Sequence, residues 1–250
     1  MIINKRESAR HCITILEDLY KHDEFMMSID SLVDFGCGDD GFALDWWSTR
    51  TTPDEAQQPL NIRCFGVDNN ITKIDLPKRT NVTFLNQDYN DRLKWEGKPD
   101  VGFSHNSFQY SVNPLGTLKH WYNTLADGAM LIISVPQTTN LEGATLAFDQ
   151  PSLCYFNWTP ASMIYALAVN GFDCRDGFFR KDPDSPWIDS IVYKSDIEPM
   201  DPATTSWYDL LETDLLPESA VKSIMAHGYV RQRDLVLPWL DKNLQTYQHL

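Results

Sequence analysis

No apolar run in this 250-residue chain approaches the roughly 20 residues that a helix needs to cross a bilayer. The opening MIINKRESAR passes into a mixed segment instead of the apolar core of a secretory leader. A membrane or exported protein is therefore not expected, and a cytoplasmic one is. Positive charge is also scarce: 21 Lys and Arg stand against 35 Asp and Glu, a formal net charge of −14, with no basic run. Lys73, Lys78 and Arg79 come nearest to a basic patch, and three dispersed charges suit a solvated face. Without that long-range attraction to phosphate, nucleic acid is not expected as a partner. The five cysteines, at 12, 37, 64, 154 and 174, form no CxxC pair. Neither a disulfide framework nor a metal site is expected from them.

What is present is the composition of an ordinary folded domain, 42% hydrophobic and 12% aromatic. Residues 7–20 place Cys12, Ile13, Ile15, Leu16 and Leu19 near a helical repeat. Ser31 to Asp34 is a short apolar run ending in FGCGDDG, and FALDWWSTR after it regains helical spacing: strand, tight turn, helix. Ile62 to Val67, Val82 to Leu85 and DVGFSHN read as further strands, LGTLKHWYNTLADG as a helix closed by Gly128, and MLIISVP as a strand covered on both faces. Beyond Pro136 come a polar loop, SLCYFNW, a helix over about Pro160 to Val169, and two β-like runs, GFDCRDGFFRK and PWIDSIVYKS, around the turn cluster DPDSP. The alternation predicts an α/β fold, a doubly wound and mostly parallel sheet with a terminal antiparallel strand pair. Residues 1–196 form that domain, and 197–250, where prolines alternate with amphipathic stretches, form a helical C-terminal appendage.

In VDFGCGDDG, glycines stand where the backbone turns sharply and where a ligand can approach the N-terminus of the next helix. Gly36, Gly38 and Gly41 satisfy GxGxxG in a strand-turn-helix setting, a nucleotide-binding signature that does not choose the nucleotide. A dinucleotide enzyme continues its apolar strand into the first glycine, whereas here Asp34 stands two residues before it. Asp68 closes the second strand, where a carboxylate can accept both hydroxyls of a ribose. Asp88, in LNQDY, closes the third, where an acid can receive the exocyclic amine of adenine.

In this order of motifs, carried by VDFGCG, FGVDNN, LNQDY, FSHN and LADGAMLIISVP, the chain over about residues 28–195 resembles the class I S-adenosylmethionine-dependent methyltransferases, in particular the small-molecule group. The resemblance implies a Rossmann-like sheet and S-adenosylmethionine as cofactor. It implies that Gly36 and Gly38 pass the methionine part, that Asp34 organises the turn and the amino group, that Asp68 binds the ribose, and that Asp88 with Tyr89 borders the adenine. Phe35, Cys37, Asn69, Gln87, Ser104 and His105 complete the expected cofactor-binding set. Two departures stand out: Asp40 occupies a usual glycine position, and Gln109 and Tyr110 stand where many relatives carry an acid and a histidine.

Methyl transfer from a sulfonium is an in-line displacement, so alignment is the main requirement, with a base needed only for a protonated acceptor. DVGFSHNSFQY holds neither an NPPY-like sequence nor a Pro-Cys nucleophile, which argues against DNA-base chemistry. A small molecule with an oxygen or nitrogen nucleophile is the expected acceptor. His105 is the candidate base, with packing beneath the cofactor as its alternative role, and Tyr110 is a candidate to orient the acceptor. His11, His22, His120, His227 and His249 have no convergent partner in sequence and receive no role. Tyr155, Phe156, Trp158 and Trp187 are read as acceptor-pocket walls or as core, and Trp207, Tyr208 and Trp239 as a lid or as a docking element. The competing functions are a nicotinamide-dependent oxidoreductase using the glycine turn and a methyltransferase-like protein that binds cofactor without turnover.

Overall fold

A computed structural model describes the chain except residues 1–4, 22–28, 40, 53–56, 72–78, 94–96, 137–155, 157, 182–186, 241–243 and 247–250. The expected polar loop after Pro136, the DPDSP turn, Asp40, Tyr155, His22 and His249 lie outside the described residues.

The N-terminal helix α1 (Lys5–Tyr20) buries Cys12, Ile15, Leu16 and Leu19, one stripe at helical spacing. Strand β1 (Ser31–Phe35) is wholly buried, and α2 (Phe42–Ser48) follows its glycine turn. Strands β2 (Arg63–Asp68), β3 (Val82–Asn86) and β4 (Val101–His105) precede α3 (Pro114–Thr124) and β5 (Met130–Pro136). Helix α4 (Pro160–Val169), capped by Thr159 and Ser162 in a reciprocal box, leads into β6 (Phe172–Lys181) and β7 (Trp187–Lys194). The seven strands form one sheet in the order β3-β2-β1-β4-β5-β7-β6. All pairings are parallel except those of β7, which runs antiparallel to β5 and to β6.

Alternation along β1 divides the core. Val33 and Phe35 pack with α3 and α4 on one face, while Leu32 packs with α1 and α2 on the other. The strand order reverses between β1 and β4, so a crevice opens beyond their carboxyl ends, where doubly wound sheets bind ligands.

Two local differences from the expected elements have physical reasons. Helix α3 ends at Thr124, short of Gly128, because Leu125 turns to extended geometry and is fully buried, its carbonyl held by the Lys194 ammonium at 3.0 Å. The appendage supplies α5 (Trp207–Leu211) and α6 (Glu218–His227), and also a short antiparallel pair, β8 (Val236–Pro238) and β9 (Leu244–Thr246). Its Leu210, Leu215, Leu216, Ala220, Ile224, Val230, Leu235 and Leu237 belong to the same core cluster as α4 and β6. No described helix is long and apolar enough to cross a membrane.

Candidate functional site

The glycine turn is held in place by its backbone. Gly36 N and Cys37 N both donate to Val67 O, at 2.8 and 3.2 Å. Gly36 adopts φ +83, and a Cβ there would lie 2.3 Å from Ser107 Cβ, so the residue must be glycine for the turn to meet the loop after β4. Ser107 closes that junction: its hydroxyl donates to Phe35 O at 2.6 Å and pairs with Ser104 Oγ at 2.7 Å. Ser104 and Phe35, both expected at the cofactor, are thus fully buried, Phe35 stacked on Trp121 with ring centres 4.3 Å apart.

A cavity of about 310 Å³ opens beside this turn. Asp34, Gly36, Cys37 and Gly38 line it from β1, Asp39, Phe42 and Ala43 from the start of α2, and Phe103, His105, Asn106 and Tyr110 from β4 and its exit. Ser8, Ala9 and Cys12 of α1 close the remaining side. Sequence gave no reason to expect α1 here, since nothing in a helical repeat says what the helix covers.

The acids after β2 and β3 lie along the neighbouring strand ends. Asp68 is half-buried; its Oδ2 accepts from Gly38 N at 3.0 Å and its Oδ1 from Asn70 N at 2.8 Å, so the carboxylate braces the turn. Asn69 is exposed beside it. The Asp88 carboxylate accepts from Asn90 N and Asn90 Nδ2, both at 2.8 Å, and the Gln87 side chain donates to Arg92 O at 2.8 Å. Tyr89 donates to Ser107 O at 3.3 Å; burial, with Asp88 and Asp68 adding, pushes its phenol up, so it stays protonated.

His105 does not stand alone. Its Nε2 lies 3.1 Å from Nδ1 of His11 on α1, and both rings stack on Trp187, centres 4.8 and 4.5 Å away. His11 Nε2 is 3.3 Å from Asp189 Oδ2. Sheet register explains the meeting: His105 pairs with Ser134, Ser134 with Asp189, and Asp189 with Arg180, one row across β4, β5, β7 and β6. Along that row Ser134 donates to Asp189 Oδ1 at 2.6 Å and Arg180 Nε to Asp189 Oδ2 at 2.9 Å. Burial alone would push the Asp189 carboxyl up, but His11, Arg180 and Ser134 together hold it at about 2. Burial, reinforced by His11 and opposed by Asp189, brings His105 down to about 3, so at neutral pH its imidazole is uncharged.

Among the expected wall residues, Trp158 packs in the core on Phe108, Phe156 is exposed, and Trp187 belongs to the histidine pair. Trp207 packs on Tyr165, Tyr208 is exposed, and Trp239 covers the Arg180 guanidinium at 4.3 Å. None of these residues is among those lining the cavity. Gln109 is buried, its amide donating to Asn106 Oδ1 at 2.8 Å, which fixes the loop that carries His105 and Tyr110.

No family model matches the sequence, and no curated protein does. Solved structures do resemble it. At a TM-score of 0.54 and 15% identity, 76% of this chain overlays 95% of a chain from the Haloferax volcanii complex of a methyltransferase activator with a methyltransferase. The same TM-score, 0.54, relates 77% of it to 80% of Burkholderia thailandensis 1,6-didemethyltoxoflavin-N1-methyltransferase, 15% identical, which holds its substrate and S-adenosylhomocysteine. Human N-acetylserotonin methyltransferase, in complex with S-adenosylmethionine, matches at 12% identity and a TM-score of 0.54 over 77% of this chain and 57% of that one. The fold is that of the class I methyltransferases.

Proposed function

We propose that this chain binds S-adenosylmethionine in the cavity beside the glycine turn and transfers its methyl group to a small-molecule oxygen or nitrogen nucleophile. The observation that carries the reading is the charge of that cavity: Asp34 and Asp39 line it, and among the described residues no lysine or arginine does. Carboxylates in a partly water-excluded wall favour a ligand bearing a sulfonium and an ammonium group, and disfavour the pyrophosphate of a dinucleotide. The volume, about 310 Å³, lies at the small end of ligand pockets, about 300–1,000 Å³.

Of the residues assigned to the cofactor, Asp34, Gly36, Cys37, Gly38 and His105 line the cavity, while Asp68, Asp88 and Tyr89 are not among its lining residues and lie along the neighbouring strand ends. Gly36 and Gly38, at φ +83 and +69, bring bare backbone to the cavity. Asp68 Oδ2 accepts from Gly38 N of the turn and Oδ1 from Asn70 N, and each oxygen keeps capacity for a ribose hydroxyl. Asp88, ordered by Asn90, is assigned to the adenine edge with Tyr89 beside it. When bound, the cofactor supplies an electrophilic methyl group. The chain's own contribution is alignment: Tyr110 and Asn106 hold the acceptor, and uncharged His105 offers it a hydrogen-bond acceptor in the cavity wall.

The test is thermal unfolding with added ligands. S-adenosylhomocysteine should raise the melting temperature and NAD or NADP should not; protection by a dinucleotide alone would overturn the assignment. Labelled cofactor incubated with a cell extract fractionated by size then separates small acceptors from macromolecular ones. Cofactor binding without label transfer to any fraction would leave a binding protein in place of an enzyme.

A further inference from the structure

We propose that His11 on α1 and Asp189 on β7 complete a proton relay with His105, in which a proton leaving the acceptor enters at His105 Nδ1, His105 passes its Nε2 proton to His11 Nδ1, and the charge rests on His11 against Asp189. This rests on the methyltransferase reading and names the residues that would serve its acceptor chemistry.

The hydrogen-bond geometry fixes the direction of the chain. Asp189, ionised, only accepts, so His11 Nε2 at 3.3 Å carries a hydrogen. Ser134 spends its proton on Asp189 Oδ1 at 2.6 Å and therefore has none to give to His11 Nδ1, 3.4 Å away. With His11 neutral, its Nδ1 accepts, and the group that donates to it is His105 Nε2 at 3.1 Å. His105 is then the tautomer whose lone pair is on Nδ1. That nitrogen has no hydrogen-bond partner among the described residues, on a side chain that lines the cavity.

Charge decides where the proton stops. A proton held on His105 faces burial with no carboxylate in contact among the described residues, and the imidazole is held at about 3. His11 lies in a cluster containing two carboxylates, Asp18 and Asp189, and one guanidinium, Arg180, which bridges them at 2.8 and 2.9 Å. Lys21, 3.3 Å from Asp18, adds a second cation at the exposed rim of the cluster, and Asp189, buried and 3.3 Å from His11 Nε2, is the carboxylate that faces an imidazolium at His11. Across the cavity, Asp34, Asp39, Cys12, Cys37 and Tyr110 are the other titratable groups among the described residues lining the wall that His105 shares. As the acceptor's oxygen or nitrogen bonds to the methyl carbon, the carbon–sulfur bond breaks with its electrons left on sulfur, and the acceptor's proton is the one that enters the relay.

The test uses the full chain labelled with ¹⁵N-histidine, whose imidazole shifts report tautomer and charge, with signals assigned through His11→Gln and His105→Gln. In wild type, His105 should carry its hydrogen on Nε2, and on acidification His11 should become imidazolium before His105 does. Asp189→Asn removes the compensating charge, so the His11 imidazolium should then require a lower pH than in wild type. A His105 protonated on Nδ1 at neutral pH, or charging of His105 before His11, overturns the proposal, and both are read on the wild-type protein whether or not the variants fold. Calorimetry with S-adenosylhomocysteine on the same sample is independent: absence of binding there counts against the methyltransferase reading, while the histidine spectra judge the relay.

Discussion

Asp68 joins two tasks in one carboxylate, bracing Gly38 N at 3.0 Å and, in the proposed complex, receiving the ribose. Asp68→Ala should therefore weaken S-adenosylhomocysteine binding by about 2–3 kcal/mol, roughly 30- to 150-fold, with calorimetry as the check. Asp88→Ala should cost less, because backbone groups can share the recognition of adenine; an equal or larger loss would reverse that ranking. His105 makes a prediction about stability. Its imidazole is held at about 3 when folded against an ordinary 6.5. Between those values the unfolded chain binds more protons than the folded one, so the neutral imidazole's contribution is fully present above 6.5 and is lost as pH falls towards 3. The slope is at most about 1.4 kcal/mol per pH unit. Urea midpoints of wild type and His105→Gln should converge as the pH is lowered through this window, and parallel losses would mean that His105 titrates normally.

At the scale of elements, the turn after β1 shows which glycines geometry requires. Gly36 and Gly128 both have positive φ, +83 and +74, but a Cβ at Gly36 meets Ser107 at 2.3 Å while one at Gly128 meets nothing within 4 Å. Both alanine substitutions incur left-handed strain of about 1–2 kcal/mol. Gly36→Ala must also displace Ser107 and its buried bond to Phe35 O, so it should cost at least about 2 kcal/mol more than Gly128→Ala in urea unfolding. The strand-turn-helix unit itself was legible, because period-two and period-3.6 patterns and glycine punctuation are local. The end of α3 was less so: Gly128 is a plausible stop in sequence, but burial of Leu125 and capture of its carbonyl by Lys194, almost 70 residues on, ended the helix earlier.

Over the whole molecule, the appendage is continuous with the core. Eight of its apolar side chains, from Leu210 to Leu237, are buried in the cluster that contains α4 and β6, and Cys174 N donates to Leu215 O at 2.9 Å. At about 1.5–3 kcal/mol for each buried Leu, Ile or Val side chain, their loss is comparable to or larger than the whole stability of an ordinary domain, about 5–15 kcal/mol. Truncation before Ile197 should therefore yield a chain that is insoluble or lacks a cooperative melting transition by circular dichroism. A soluble 1–196 fragment with a wild-type transition would show that the segment only rests on the sheet. Trp239 extends the coupling to α1, since it covers Arg180, which in turn binds Asp18 at 2.8 Å.

The sequence by itself determined the alternation of strands and helices, the glycine turn, and the acids closing β1, β2 and β3, because each is written in contiguous residues whose spacing matches one backbone geometry. Only the tertiary structure decided which helix closes the cavity and what His105 touches. His11, His105, Ser134, Arg180 and Asp189 are scattered through the chain and share no motif. They meet because β7 inserts antiparallel between β5 and β6, in a register that sets Asp189 beside Ser134 and Arg180, while α1 lays His11 across the row. Strand order and register are settled by packing of the entire sheet, a sum over many distant contacts that no local pattern encodes.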